Sequence, residues 1–391
     1  MKKILKRVCC IFLSTIDKIV YLLCKTKEKQ ILFESEGDFC DNARALFEYF
    51  IKTERNNKYK IIWVVKNLDK YKNKNIKNVE FISRNETNLI KRIKAYKKIY
   101  SSKYYFFTHP YWLKKWKKDQ IVINLWHGTP LKSGGKDLSD LFDYQVCPSK
   151  NVSELYSKFL GVKNNQFIYT GCPRNDLLFD NEFKIENFIE KKDNKLIMFM
   201  LTYKQAKGDS ECNKFDCDRM DKYVIPHIEN EKELVEFNNF LIKNKVKCIV
   251  KIHHLQKTDF ISKINLSNII YIEDTDLENK NINLYSLLGS MDSIVTDYSS
   301  IIFDYALLDR PMGFAISDLD NYKKNRGFLV DNIEDYFCGD KIRNLLELKK
   351  YIENVSNNID LYKDERKKIM LNTNKYCDNN SSQRLVDYFK L

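Results

Sequence analysis

The sequence predicts an α/β protein made of two Rossmann-like domains. Three observations carry this. The chain has 391 residues, and a domain usually takes about 100–200. From residue 30 onward, short apolar runs alternate with amphipathic stretches, as parallel sheets covered by helices require. A polar and charged stretch, 181–194, separates the two halves. The expected divisions are 1–29, 30–190 and 191–391.

In the first half, 31–33, 61–65, 79–82, 98–100 and 121–125 read as buried strands. They are short, dense in apolar residues and bounded by polar positions. Residues 42–51 and 88–96 have helical apolar spacing and connect some of these strands. In the second half, 196–200, 248–252, 269–272 and 293–296 are strand-like, and 231–243 and 301–308 are helix-like. In open sheets of this kind ligands sit beyond the carboxyl ends of the strands, so chemistry is sought there.

Composition narrows the class. Apolar residues make up 43% of the chain and charged residues 31%, which fits a folded globular protein rather than a disordered or collagen-like one. The 11 Cys are irregularly spaced and form no C-x-x-C pair. This fits reduced thiols and offers neither a disulfide scaffold nor a zinc cluster. Lys and Arg exceed Asp and Glu by 67 to 53, a net charge of +14. Such a charge fits nucleic acid, an anionic membrane or a polyanionic substrate.

Residues 1–29 hold eight Lys or Arg against Asp17 and Glu28. Ile4, Leu5, Val8, Ile11, Phe12, Ile16, Ile19, Val20 and Leu23 recur at helical spacing. Asp17 and Lys18 cut the apolar run short of the roughly 20 residues of a spanning helix, and no small-residue cleavage site follows. An amphipathic helix on the cytoplasmic face of an anionic bilayer is expected. The alternative is a helix packed on the core.

Four motifs fall at strand ends or turns. In L-W-H-G-T-P-L-K, 125–132, His127 sits where a general base belongs, with an ordinary pKa near 6.5 suited to neutral pH. Gly128 lets backbone approach a ligand, and Thr129-Pro130 shapes the turn. In V-K-I-H-H, 250–254, Lys251 and His253 or His254 face an anion; adjacent side chains on an extended chain diverge, so one histidine at most reaches it. In V-T-D-Y-S-S, 295–300, Ser299 or Ser300 is a candidate N-cap, and the helix start offers free N–H groups to phosphate. In G-C-P-R-N-D, 171–176, Arg174 could fork onto a phosphate. No Gly-rich P-loop or G-x-G-x-x-G turn is present, which disfavours an ordinary ATPase or dehydrogenase.

These motifs, in this order, resemble the CDP-glycerol glycerophosphotransferase family, the teichoic acid primases and polymerases of bacterial cell walls. F-E-S-E-G-D-F-C-D-N-A-R-A-L-F-E-Y at 33–49, K-I-H at 251–253, V-T-D-Y-S-S-I-I-F-D-Y at 295–305 and R-G-F at 326–328 complete the match. The resemblance implies a GT-B-like fold, two Rossmann-like domains facing a central cleft, with no metal required. It implies transfer of glycerol phosphate from CDP-glycerol to a hydroxyl of a lipid-linked wall or capsular acceptor. By the same resemblance His127 is the base, and His253 lies near the donor phosphates. Ser299 and Ser300 hold the pyrophosphate, and Arg174, Asp304 and Thr202 contact the donor. The implied location is peripheral, on the cytoplasmic face of the membrane.

The chain departs from the family pattern at two places. His254 stands where Pro follows the histidine, and Met200-Leu201-Thr202-Tyr203-Lys204 replaces A-P-T-[WFY]-R. Lys is no equivalent of Arg at a two-pronged site. CDP-ribitol or another activated polyol phosphate therefore stays open as the donor, and a nucleotide-sugar glycosyltransferase is the second reading. Residues 91–118 carry ten Lys or Arg and no acid, interleaved with Tyr, Phe and Trp. That pattern fits nucleic acid or a membrane interface or polymer; beside the strand-end motifs it favours membrane or polymer, with no nucleic acid partner.

Overall fold

The computed structural model describes residues 15–109, 117–202, 223–252 and 266–391. They form two parallel sheets. The first holds β1 (Lys27–Glu34), β2 (Lys60–Val65), β3 (Val79–Ser83), β4 (Ser102–Phe107), β5 (Ile121–Asn124), β6 (Tyr144–Cys147) and β7 (Phe167–Tyr169). Its order is β3-β2-β1-β4-β5-β6-β7. The second holds β8 (Lys195–Phe199), β9 (Val246–Lys251), β10 (Ile269–Ile272), β11 (Ser293–Thr296), β12 (Met312–Ala315) and β13 (Asp340–Ile342), in the order β10-β9-β8-β11-β12-β13.

The strands are apolar on both faces because helices cover both. Along β1 and β2, Leu32, Ile62 and Val64 enter one core while Ile31, Phe33, Ile61 and Trp63 enter the other. This is the alternation of a strand read at period two. Phe33 lies stacked between Trp63 and Phe106, with ring centroids 5.5 and 5.4 Å away. Truncating such a ring to Ala costs about 3–5 kcal/mol. Asn88, Asn230 and Asn344 start helices Leu89–Ser101, Glu231–Lys243 and Leu345–Ser356 by accepting from the N–H three residues on.

One expected element is corrected. Residues 98–100 are not a strand. They close helix Leu89–Ser101, with Ile99 and Tyr100 buried one turn beyond Ala95 and Tyr96. The strand follows at once as β4, S-K-Y-Y-F-F, whose Tyr105, Phe106 and Phe107 are fully buried. Much of the aromatic content of 91–118 is therefore core.

Helix 15–23 packs one side on the first domain. Val20 is buried, and Ile16, Tyr21 and Cys24 lie against the same core. Asp17, which breaks the apolar run, accepts the Tyr100 hydroxyl at 2.8 Å. The other side leaves Ile19, Leu22 and Leu23 in solvent, the last two 75% and 77% exposed. Among the described residues no helix is long and apolar enough to cross a membrane. At the other end the chain returns: helix Ser381–Tyr388 puts Leu385 and Val386 into the core of the first sheet.

Each sheet order reverses once, between β1 and β4 and between β8 and β11. Those reversals open a crevice at the carboxyl ends of the strands, and the strand-end motifs collect there.

Candidate active site

On the first domain β5 ends at Asn124 and the chain turns sharply. Trp126 is left-handed, with φ of +54°, and Gly128 has φ of +137°. Asn124 Oδ1 accepts the Trp126 N–H at 3.0 Å, and Asn42 Nδ2 donates to the Trp126 carbonyl at 2.9 Å. These bonds hold the turn in a backbone conformation that costs about 1–3 kcal/mol. They set the His127 ring against His109, with centroids 4.0 Å apart and planes at 17°, and against Trp126 at 4.1 Å.

Burial holds the His127 imidazole well below its ordinary pKa, reinforced by His109 and by the Arg174 charge; the Thr108 backbone opposes them. The ring is neutral at pH 7, the form a general base needs. Its Nδ1 is buried and has no hydrogen-bond partner among the described residues. Thr129 and Pro130 are buried beneath the loop.

On the second domain β11 runs into Asp297-Tyr298-Ser299-Ser300, then helix Ile301–Tyr305. Asp297 is fully buried and spans the β8/β11 reversal: it accepts the Thr202 N–H at 3.0 Å and the Thr202 hydroxyl at 2.7 Å. Lys132 Nζ, from the first domain, donates to the same hydroxyl at 3.0 Å. Ser300 was expected as a candidate N-cap, but its side chain makes no cap, because its own φ and ψ, −63° and −9°, are already helical. A cap needs an extended residue whose side-chain oxygen accepts an N–H two or three residues on. Ser299 Oγ comes only to 3.5 Å of the Ile301 N–H.

The uncapped Ser300 hydroxyl instead meets the His127 loop. A Cβ placed on Gly128 would lie 2.5 Å from Ser300 Oγ and 3.1 Å from Arg174 Nη2. Only glycine allows that approach. A second seam runs beside it: Lys132 bridges Phe328 in antiparallel fashion, and the Ser133 N–H donates to the Gly327 carbonyl at 3.1 Å. The R-G-F stretch thus binds the strand that leaves the W-H-G-T-P turn.

Three expected donor contacts also have protein partners. Arg174 is 5% exposed. Its Nη1 donates to Asp41 Oδ1 and to the His127 carbonyl, both at 2.9 Å, and its Nη2 donates to Asp304 Oδ2 at 2.7 Å. Burial works against this charge, and Asp304 and Asp41 more than offset it. Asp304 also accepts from Asn175 at 3.1 Å and from the Tyr285 hydroxyl at 2.7 Å. Lys251 is buried, paired with Asp274 at 2.8 Å and donating to the Ile252 carbonyl at 2.9 Å. His253 lies outside the described residues.

Sequence reasoning gave no role to Asp41, Asn42, His109, Lys132 or Asp297. Asp41 and Asn42 lay inside a recognised stretch, D-N-A-R, and Asp297 inside V-T-D-Y-S-S. His109 follows β4, the strand the periodicity misplaced.

A family model described as CDP-glycerol:poly(glycerophosphate) glycerophosphotransferase matches residues 17–390. The teichoic acid poly(glycerol phosphate) polymerase of Bacillus spizizenii is 26% identical over 355 residues, covering 81% of each chain. The teichoic acid glycerol-phosphate primase of Bacillus subtilis is 25% identical over 376 residues, 89% of each. Among solved structures, the wall teichoic acid polymerase TagF superposes with a TM-score of 0.72 at 25% identity, over 100% of this chain and 96% of that one. The two sheets form the same GT-B-like fold.

Proposed function

Because the chain belongs to the CDP-glycerol:poly(glycerophosphate) glycerophosphotransferase family, we propose that it passes glycerol phosphate from CDP-glycerol to a hydroxyl on a lipid-linked wall or capsular polymer, with His127 as base. The acceptor oxygen attacks the donor β-phosphorus in line. The bond from that phosphorus to the bridging oxygen breaks, CMP leaves, and the acceptor proton passes to His127. Such chemistry depends on positioning and on charge stabilisation more than on covalent help. Ser299, Ser300 and the neighbouring backbone N–H groups take the pyrophosphate, Thr202 lines the nucleotide side, and His253 is assigned to the same phosphates.

The observation that carries this reading is the meeting of Gly128 and Ser300. It puts the residue after the base against the hydroxyl that would hold the donor. The neutral His127 imidazole supports the base role.

The docking face we assign to the cytoplasmic surface of an anionic bilayer is the outer side of helix 15–23 and its neighbour. Ile19, Leu22 and Leu23 are exposed there. Lys18 and Lys25 flank them, and Lys91, Lys94 and Lys97 are exposed on helix Leu89–Ser101, which packs against it. Lysines near such a surface contribute about 1 kcal/mol each.

CMP release measured with CDP-glycerol, CDP-ribitol and UDP-sugars tests the donor. Turnover of CDP-glycerol is expected. Lys204, in place of the family Arg, keeps CDP-ribitol as the second donor, and turnover of UDP-sugars alone would overturn the reading.

A further inference from the structure

We propose that His109 is a positioning residue for the transfer: its ring is the wall that holds the His127 imidazole in the orientation from which it takes the acceptor proton. The inference rests on the reading of His127 as base.

The two histidines meet because their strands are neighbours. Phe107, the last residue of β4, pairs with Asn124, the last residue of β5, in parallel register. The Leu125 N–H donates to the Phe107 carbonyl at 2.8 Å and carries that pairing past the strand end. His109 follows β4 and His127 follows β5 within a few residues, and their rings face each other with centroids 4.0 Å apart and planes at 17°. Trp126 adds a third ring, 5.4 Å from His109 and 4.1 Å from His127. Near-parallel rings attract one another when offset. Burial keeps His109 below its ordinary pKa, with Glu36 and Asp41 opposing and Arg84 and Lys66 assisting. At pH 7 two neutral rings therefore stack, without the repulsion of two imidazolium ions.

A general base is commonly aimed by a third group, often a carboxylate, on its other nitrogen. Among the described residues no carboxylate bonds the His127 ring. The bonds of its loop end on backbone instead: Asn124 on the Trp126 N–H, Asn42 on the Trp126 carbonyl and Arg174 on the His127 carbonyl. They fix the path of the chain and leave the His127 ring to be oriented by what packs on it. On the β4 side that surface is Thr108 and His109. It is itself anchored. Thr108 is buried, its N–H donates to the Glu34 carbonyl at 3.2 Å, and its hydroxyl accepts the Glu36 N–H at 3.2 Å. A continuous path therefore runs from the end of β1 through Thr108 to the His109 ring and onto the face of His127. A base must lie within hydrogen-bond reach of the proton it takes, and a misplacement of about 1 Å at a reacting centre can cost about 10²-fold in rate. The property required at position 109 is then a flat ring, and the imidazole nitrogens there take no part in the chemistry.

The test compares H109A, which removes the wall, with H109F, which rebuilds it from a ring that binds no proton. CMP release at saturating CDP-glycerol gives kcat, and calorimetry gives CDP-glycerol affinity. H109A is expected to lose about tenfold or more in kcat, with affinity within about threefold of wild type. H109F is expected to restore kcat to within about threefold. H109A at the wild-type rate would overturn the inference. H109F as slow as H109A would overturn it too, because the imidazole of His109 would then act in the chemistry itself. A loss of donor affinity of about tenfold or more in H109A would place His109 on the donor and overturn it as well. Should H109A fail to fold, H109Q keeps length and polarity without a ring, and the same loss of kcat is required of it. H127A is measured in parallel. H127A active at the wild-type rate overturns the base reading. H127A inactive with H109A unimpaired overturns this inference alone.

Discussion

The two strand-end loops that meet at Gly128 and Ser300 are built in opposite ways. The base loop is over-determined: two left-handed residues, Asn42, Asn124 and Arg174 on its backbone, and two rings against His127. The donor loop fixes its buried carboxylate, Asp297, onto Thr202, yet leaves the Ser299 and Ser300 side chains almost uncommitted. One side holds a finished geometry, and on the proposed donor side the serine side chains make almost no bonds of their own. Substitutions on the first side should therefore change the chemical step, and those on the second should change donor binding.

The largest effect is expected at the base. H127A should lose about 10²–10⁴-fold in kcat, the range general-base catalysis supplies, as read from CMP release at saturating donor. Next comes S300A. A hydrogen bond to a charged group contributes about 1.5–3 kcal/mol, so CDP-glycerol should bind about 10–100-fold more weakly by calorimetry. G128A strikes both loops at once. Its Cβ would fall 2.5 Å from Ser300 Oγ at a φ of +137°, and a loss of about 1–3 kcal/mol of stability is expected in denaturant titrations. If G128A were as stable as wild type, the close approach of the two loops would not hold in solution.

The smallest effects are in pH dependence, and there Glu34 and His127 oppose each other. Burial pushes the Glu34 carboxyl up to about 7, against the pull of Arg84 and the Tyr105 hydroxyl. The folded protein then binds a proton that the unfolded chain has lost above its ordinary value of 4.5. Stability contributed by Glu34 is present below that value and drains away as pH rises toward 7. His127 works the other way: neutral in the fold and protonated when unfolded below 6.5, it costs stability as pH falls. E34Q should flatten the first slope, and the acid limb of kcat/KM should lie below the ordinary imidazole value. An acid limb above 6.5 would contradict a neutral base.

What was legible in the sequence follows the same division. The alternation of buried strands and amphipathic helices is local, so the two parallel sheets could be read directly. The strand misread at 98–100 lay beside a true one, because helix Leu89–Ser101 passes into β4 with no intervening turn. Short strands such as β7 and β13, three residues each, carry too little pattern to be seen. The strand-end motifs were visible because each is contiguous. The engagement of Arg174 was not, since its partners lie at positions 41, 127 and 304. Residues 15–23 follow the core-packed alternative on one side, with Val20 in the core and Leu22 and Leu23 exposed.

The central claim is the division of labour between the two loops, and one paired measurement addresses it: kcat and CDP-glycerol affinity determined together for H127A and S300A. The account predicts that H127A loses turnover by at least about 10²-fold with donor affinity kept, and that S300A loses donor affinity by about tenfold or more. H127A turning over at the wild-type rate, or S300A binding CDP-glycerol as tightly as wild type, would contradict it.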